Sequence, residues 1–183
     1  VSNDGFINKI NKSISTDGDT TVIDQKGLYI SPGLFDFSVD FGEPGDEHRE
    51  TLESGCEAAI YGGFTGFGLN PTDTPPRDNK SAISFCKNFT NSLPVDAFPY
   101  GCISKDMKGE QLAEMFDMTK SGAVAFTDFN KPITQPGLLS RALLYTKNFD
   151  GLVVSFPHDP TISPNGQMNE GIYSTLNIYL HSF

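Results

Sequence analysis

Cysteine is scarce in this chain of 183 residues, with Cys56, Cys86 and Cys102 standing far apart and outside any CxxC pair. An odd number of isolated thiols excludes a disulfide framework and a zinc ribbon. It fits buried thiols in a reducing compartment, with the cytoplasm as the default. Cations are few as well: 13 Lys and Arg face 23 Asp and Glu, giving a net charge of −10, and they form no stripe. That sign repels phosphate backbones and anionic headgroups, so neither nucleic acid nor a membrane surface is expected as a partner. No apolar run approaches the roughly 18 residues of a membrane span, and no basic segment leads into an apolar one at the start. The sequon Asn88-Phe89-Thr90 therefore reads as a chance match. The chain begins at Val1 and runs out through Leu176–Phe183 without a stop or cap signal, so both ends read as cut from something longer.

What is present suits one globular domain with a real core: 37% hydrophobic and 20% charged residues. Residues 1–30 are polar, with short alternating pieces at Gly5–Ile10 and Thr20–Asp24 and turn residues at Asn3-Asp4-Gly5, Asp17-Gly18-Asp19 and Lys26-Gly27. This pattern predicts a small antiparallel β element closed by Ser31-Pro32-Gly33.

From residue 31 to 183 the texture changes. Continuously apolar runs cover Leu34–Asp40, Phe64–Leu69, Ala97–Ile103, Ala123–Thr127 and Leu152–Phe156. Helical patterns separate them over Glu47–Tyr61 (with Asp46 as N-cap), Asp78–Phe89, Gly109–Lys120 and Pro136–Lys147. Their predicted buried faces are Leu52, Cys56, Ala59 and Ile60; Ala82, Ile83, Cys86 and Phe89; Leu112, Met115, Phe116 and Thr119; and Leu138, Leu139, Ala142 and Leu143. Phe35, Phe37, Phe41, Phe64 and Phe67 are expected in the core. Strand and helix alternating about every thirty residues is the pattern of βα units on a parallel sheet covered on both faces. Five units could make a doubly wound sheet or part of a barrel. The glycines of Gly62–Gly68 lie before and within a strand and not at a strand-to-helix turn, so the dinucleotide fingerprint is missing and the barrel is preferred.

Several ordered motifs carry a resemblance to a known family. The segment Val22–Asp36 is followed by Glu43-Pro44-Gly45, Glu47–Thr51, Gly62-Gly63-Phe64-Thr65, Pro75-Pro76-Arg77-Asp78-Asn79, Gly122–Asp128 and Met168-Asn169-Glu170-Gly171. Together, from about Val22 to Thr175, they resemble dihydroorotases and related cyclic amidohydrolases. The resemblance implies a (βα)8 TIM-type barrel, here about five units over 31–183, preceded by part of a small β-sandwich over 1–30. It also implies reversible cyclisation of carbamoyl-aspartate to dihydroorotate in pyrimidine biosynthesis, with zinc held by a His-x-His pair at the end of the first strand. Imidazoles suit that task because they hold zinc while leaving a position open for a water of lowered pKa.

Measured against the family pattern, this chain departs at the chemistry and keeps the frame. The His-x-His positions hold Ser38 and Asp40. Gly42 stands where an arginine grips the substrate carboxylate. Pro71-Thr72-Asp73 replaces Pro-Asn-Thr and puts Thr72 at a substrate-binding asparagine position. Asp128-Phe129-Asn130 replaces Asp-Asp-Gly, and Phe156 replaces a ligand histidine, with His158 and Asp159 beyond it. Asp40 and Asp128 are thus vestigial metal positions, and Thr72 a vestigial substrate position. No catalytic residue and no intact metal set is assigned, and one or two carboxylates alone make a poor zinc site.

Other candidates read as structure. His158 is expected as a loop histidine beside Asp159, His48 as surface, and Asp36 as a strand residue. Glu43 is expected in a turn, Glu47 as a helix N-terminal charge, and the cysteines as inert; His181 carries no assignment. Two functions remain open at this point. One is a non-catalytic homologue acting as a scaffold for aspartate carbamoyltransferase, without cofactor. The other is an active zinc hydrolase with an altered centre built on Asp40, Asp128, His158 and residues from the barrel strands beyond this segment. Unpaired first and fifth strands would leave open sheet edges, so the segment alone is not expected as a stable monomer, and the full-length protein is expected to be a homo- or hetero-oligomer.

Overall fold

The computed structural model describes residues 5–16, 18–159 and 162. The motif Met168–Gly171, His181 and the tail Leu176–Phe183 lie outside them. The chain divides into two compact units, Val1–Pro32 and Gly33–Phe183.

In the first unit the turns at Gly18-Asp19 and Lys26-Gly27 form, the latter closed by the Leu28 amide donating to the Gln25 carbonyl at 3.1 Å. The antiparallel strands expected there do not form among the described residues. Ile10, Tyr29 and Ile30 are exposed. Short alternating pieces become strands only when something buries their apolar face, and the apolar side chains among the described residues of this unit are exposed.

The second unit carries the five βα units. Strands β1 (Leu34–Val39), β2 (Phe64–Leu69), β3 (Asp96–Gly101), β4 (Ala125–Phe126) and β5 (Leu152–Val153) pair side by side in chain order, every neighbour parallel. A doubly wound sheet reverses its strand order part-way; this one does not. The result is a curled half-barrel, a partial TIM-type fold.

Helices α1 (Leu52–Tyr61), α2 (Lys80–Thr90), α3 (Met115–Lys120) and α4 (Pro136–Thr146) fill the connections. Three start later than their apolar periodicity suggests, and side-chain capping explains two of the shifts. The α1 N-cap is Thr51, in a capping box with Ser54, and not Asp46. Asn79 caps α2 by accepting from the Ser81 and Ala82 amides. Residues ahead of α3 form a short 3-10 turn at Lys105–Met107 and a bridge from Ser104 to Leu112. Pro136 opens α4 at its first turn, where a missing N–H costs nothing.

Two packed clusters lie between helices and sheet. One joins Phe41, Leu52, Cys56, Phe67, Leu69, Cys86, Val95 and Ala97; the other centres on Ile83, Ile103, Met115, Met118, Phe126 and Ala142. Several predicted core residues miss them. Ile60, Phe116 and Leu143 sit on helix flanks and are exposed, Met118 taking the inner position beside Met115. Phe35 and Phe37 are 40% and 75% exposed. They point to the concave face of the sheet, where five strands supply no opposite wall.

The glycines of β2 shape that face. The Tyr100 hydroxyl donates to the Phe37 carbonyl at 2.9 Å, passing over Gly68. A Cβ on Gly68 would lie 2.0 Å from that hydroxyl, and Gly66 similarly admits the Phe35 ring. The glycine spacing that could be taken for a nucleotide fingerprint is thus a seat for aromatic side chains from both neighbouring strands.

Candidate functional site

The C-terminal strand ends, where barrels of this kind place chemistry, are held by loops packed on one another. After β1, the Asp46 amide bonds the Gly42 carbonyl at 2.6 Å and the Gly42 amide bonds the Glu50 carbonyl at 3.0 Å. Glu43 accepts from the Leu52 amide at 2.8 Å and so anchors the start of α1. Glu47 lies ahead of that helix. It accepts from the Gly45 amide at 2.9 Å, which holds its carboxyl below the usual range. The Thr74 amide from the loop after β2 bonds the Pro44 carbonyl at 2.9 Å, and Gly45, at φ +107°, leaves room for Thr74 where a Cβ would clash. Glu43-Pro44-Gly45 therefore serves to dock one loop on the other.

The arginine that the resemblance places at position 42 is sterically excluded here. A Cβ on Gly42 would stand 2.0 Å from the Asp46 carbonyl oxygen.

Asp40 has a protein donor on each carboxylate oxygen. It accepts the Thr72 hydroxyl on one oxygen and forms a 3.0 Å ion pair with Arg49 through the other. Ser38, in the other histidine position, accepts from the Asn70 side-chain amide at 2.9 Å. Asp128 is engaged as completely, and deeper. It is 3% exposed and accepts from the Ile103 amide at 2.9 Å, the Ser104 amide at 3.1 Å and the Ser104 hydroxyl. Burial raises its carboxyl above the usual range, opposed by those hydrogen bonds. Asp128 thus fastens the end of β4 to the end of β3.

A buried ion pair completes the array. Arg77 is wholly buried and donates to both Asp73 oxygens, to the carbonyls of Leu69 and Asn70, and to the Tyr100 carbonyl. Its own carbonyl accepts the Cys102 amide at 2.8 Å. One guanidinium therefore ties the ends of β2 and β3. Burial pushes the Asp73 carboxyl up to about 6, against the pull of Arg77. Arg77 stands within the Pro75–Asn79 motif and Asp73 four residues before it. That i, i+4 opposite-charge spacing was the available signal, in a segment whose proline and turn residues give no helix to interpret it by.

The remaining candidates fall into place around these. His48 is exposed; His158 packs its ring against Phe156 with centroids 5.9 Å apart. Asp36 accepts the Ser38 amide at 2.9 Å within the strand. All three cysteines are free and buried, with thiols raised by burial, Cys56 to about 11. Such thiols are poor nucleophiles and poor ligands.

A hollow of about 520 Å³ opens at these strand ends. Its walls come from Phe37, Ser38, Asn70 and Tyr100 on one side and from Thr127, Phe129, Asn130 and Phe156 on the other. Ser38 and Phe156, at two positions where the resemblance implies histidine, both line it. Asp40, Thr72 and Asp128 do not line it.

The described residues do not by themselves make up a zinc site. Among the described residues no three His, Cys, Asp or Glu side chains gather as a ligand set. The two surviving carboxylates already have protein donors on both oxygens. No helix among the described residues is long and apolar enough to cross a membrane.

Comparison with known proteins places this geometry in context. A family model described as "Dihydro-orotase-like" matches residues 27–182. A dihydroorotase of Pelotomaculum thermopropionicum is 41% identical over 173 residues, covering 94% of this chain and 40% of that protein. One from Carboxydothermus hydrogenoformans is 37% identical over 172 residues, with the same coverage of 94% and 40%. The chain therefore spans about 40% of the length of these curated relatives. Among solved structures, an L-hydantoinase (dihydropyrimidinase) from Arthrobacter aurescens superposes with a TM-score of 0.56 at 22% identity, over 67% of this chain and 28% of that one; it speaks for the fold alone. By sequence along nearly its whole length, the chain belongs to the dihydroorotase-like family.

Proposed function

We propose that this protein is a dihydroorotase-like barrel of the pyrimidine biosynthetic pathway that does not hydrolyse cyclic amides, and that it serves as a cytoplasmic scaffold for aspartate carbamoyltransferase. The observation that carries the first part is the occupation of Asp40 and Asp128. Amide hydrolysis in this family would need a cation to lower the pKa of a water and polarise the ring carbonyl. Here Asp40 is committed to Arg49 and Thr72, and Asp128 to the β3 end. The scaffold role is supported by the selective nature of the change: the loop-docking Glu43-Pro44-Gly45 and the Pro75-Pro76 segment stay while Ser38, Gly42 and Phe156 stand at the positions of the chemistry. The free, buried cysteines suit a reducing compartment.

An active hydrolase with an altered centre is the second reading, favoured by identities of 37% and 41% to proteins named dihydroorotase. It requires Asp40 to leave Arg49 and His158 to leave Phe156. Elemental analysis of the purified protein with a dihydroorotate hydrolysis assay separates the two. Co-elution with aspartate carbamoyltransferase in size-exclusion chromatography tests the scaffold; separate elution at micromolar concentrations would dismiss it.

A further inference from the structure

Two helices of the second unit carry opposite charge on their exposed sides. Among its ten residues α1 has two carboxylates, Glu53 and Glu57, and no cation. The single charged residue of α4 is Arg141. Among the described residues none of these three has an ion-pair partner, nor does Lys120 of α3, whose ammonium lies over the Phe116 ring at 5.2 Å. Aromatic surface accompanies each charge. Glu53, Glu57 and Tyr61 follow at four-residue steps and share one face of α1, with Tyr61 91% exposed. Arg141 and Tyr145 are also four apart, on α4. Tyr145 packs edge-on against Phe149, and Phe149 against Phe116 of α3, both with centroids 5.5 Å apart. The three rings floor a valley between α3 and α4, flanked by Lys120 and Arg141, and Phe116 and Tyr145 stay 41% and 39% exposed. Asp117 stands about 100° round α3 from Phe116 and so off that wall.

We propose that this valley takes the α1 face of a second copy of the chain, with Glu53 and Glu57 set against Lys120 and Arg141 and Tyr61 laid on the rings of Phe116 and Tyr145. A chain of net charge −10 repels its own copies, so contact between them needs a place where cations outnumber carboxylates, and the valley supplies one. Tyrosine and arginine at the centre of a patch are also the residues that anchor protein interfaces. The strand order puts α1 and α4 at opposite ends of the row, so a chain cannot close this contact on itself. Each copy then offers one stripe and one valley, and the contact is heterologous, adding copy to copy beyond the dimer. None of its residues belongs to the strand-end array, so it holds whether or not a metal binds there.

Sedimentation velocity of the purified chain, from about 1 to about 100 μM and at low and high salt, tests it. The sedimentation coefficient should rise with concentration, and less so in high salt. The variants Glu53→Lys with Glu57→Lys, and Lys120→Glu with Arg141→Glu, each set like charges across the contact. Each alone should associate at least about tenfold more weakly than the wild type. Mixed in equal amounts the two should associate again, because each supplies the charge that the other has reversed, and a chain carrying all four changes should do so by itself. All four positions are exposed, so the fold tolerates the changes, and recovery on mixing reads the contact and not the folding. No rise with concentration, association that neither variant weakens, or variants that stay apart on mixing would each overturn the proposal. Association that salt strengthens would overturn it too, and would assign self-association to the open apolar face and edges of the sheet.

Discussion

Nη1 of Arg77 stands 2.8 Å from both carboxylate oxygens of Asp73, with the guanidinium wholly out of solvent. The fork geometry spends its remaining donors on strand-end carbonyls, so this one side chain holds β2 and β3 in their mutual position. Arg77→Met should cost about 3–5 kcal/mol, because it leaves a buried carboxylate and three carbonyls without their donor. Arg77→Lys should also destabilise, since an ammonium cannot reach that set of acceptors. The double change Asp73→Leu with Arg77→Met should lose less than Arg77→Met alone. Urea denaturation of the three variants measures this; a double variant as unstable as the single one would contradict the pairing.

The same pair sets a pH dependence. The native Asp73 carboxyl keeps its proton up to about pH 6, whereas an unfolded aspartate releases it near about 3.9. Between these values the native state binds more protons than the unfolded one, so this group's contribution to stability falls as pH rises through the window. Asp128, raised in the same direction by burial, adds to the slope. Thermal melting from pH 4 to 7 should show this decline, and Asp73→Asn should flatten it. An unchanged slope in Asp73→Asn would assign the dependence elsewhere.

Asp128 offers a sharper distinction between a fastener and a ligand. Asp128→Ala leaves the buried Ile103 and Ser104 amides without an acceptor and should cost about 2–5 kcal/mol. Asp128→Asn retains an oxygen for both amides and should lose far less. A ligand would behave otherwise, with Asn as damaging to metal content as Ala. Chemical denaturation of the two variants, alongside elemental analysis, decides between them.

On the concave face, Gly68→Ala forces its new methyl group against the Tyr100 hydroxyl and the Phe37 carbonyl. The bond from Tyr100 to Phe37 should break, and β1 should lose this tie across β2 to β3. Faster amide exchange along Leu34–Val39 than along Asp96–Gly101 would report it. Wild-type exchange rates in both strands would mean that Tyr100 does not depend on the glycine.

Much of this fold was legible because βα periodicity is a long signal: five apolar runs at even spacing survive errors of a few residues at each end. The strands came out shorter than their apolar runs, as with Ala123–Thr127 against the observed Ala125–Phe126, since residues beyond the paired segment still face the core. Helix starts were less legible because Thr51 and Asn79 cap by side-chain bonds that periodicity does not register. The concave phenylalanines were misplaced for a different reason. Phe35 and Phe37 carry a core residue's composition, and only the number of strands tells which face lacks a wall. At the site, motif comparison located Ser38, Asp40, Asp128 and Phe156, but their fates differ: two line the hollow and two are locked to protein donors. Arg49, further along the same loop, and Thr72 and Ser104, from other loops, supply those donors, and contacts of that kind follow from the fold and not from local spacing.

The central claim is that the metal positions are closed by the protein's own groups. It is tested most directly by elemental analysis of the purified protein after equilibration with excess zinc and gel filtration, followed by the dihydroorotate hydrolysis assay on the same sample. The account predicts well under one zinc per chain and no turnover above the protein-free rate. Stoichiometric zinc retained through gel filtration, with turnover lost on chelation and recovered on adding zinc back, would contradict it.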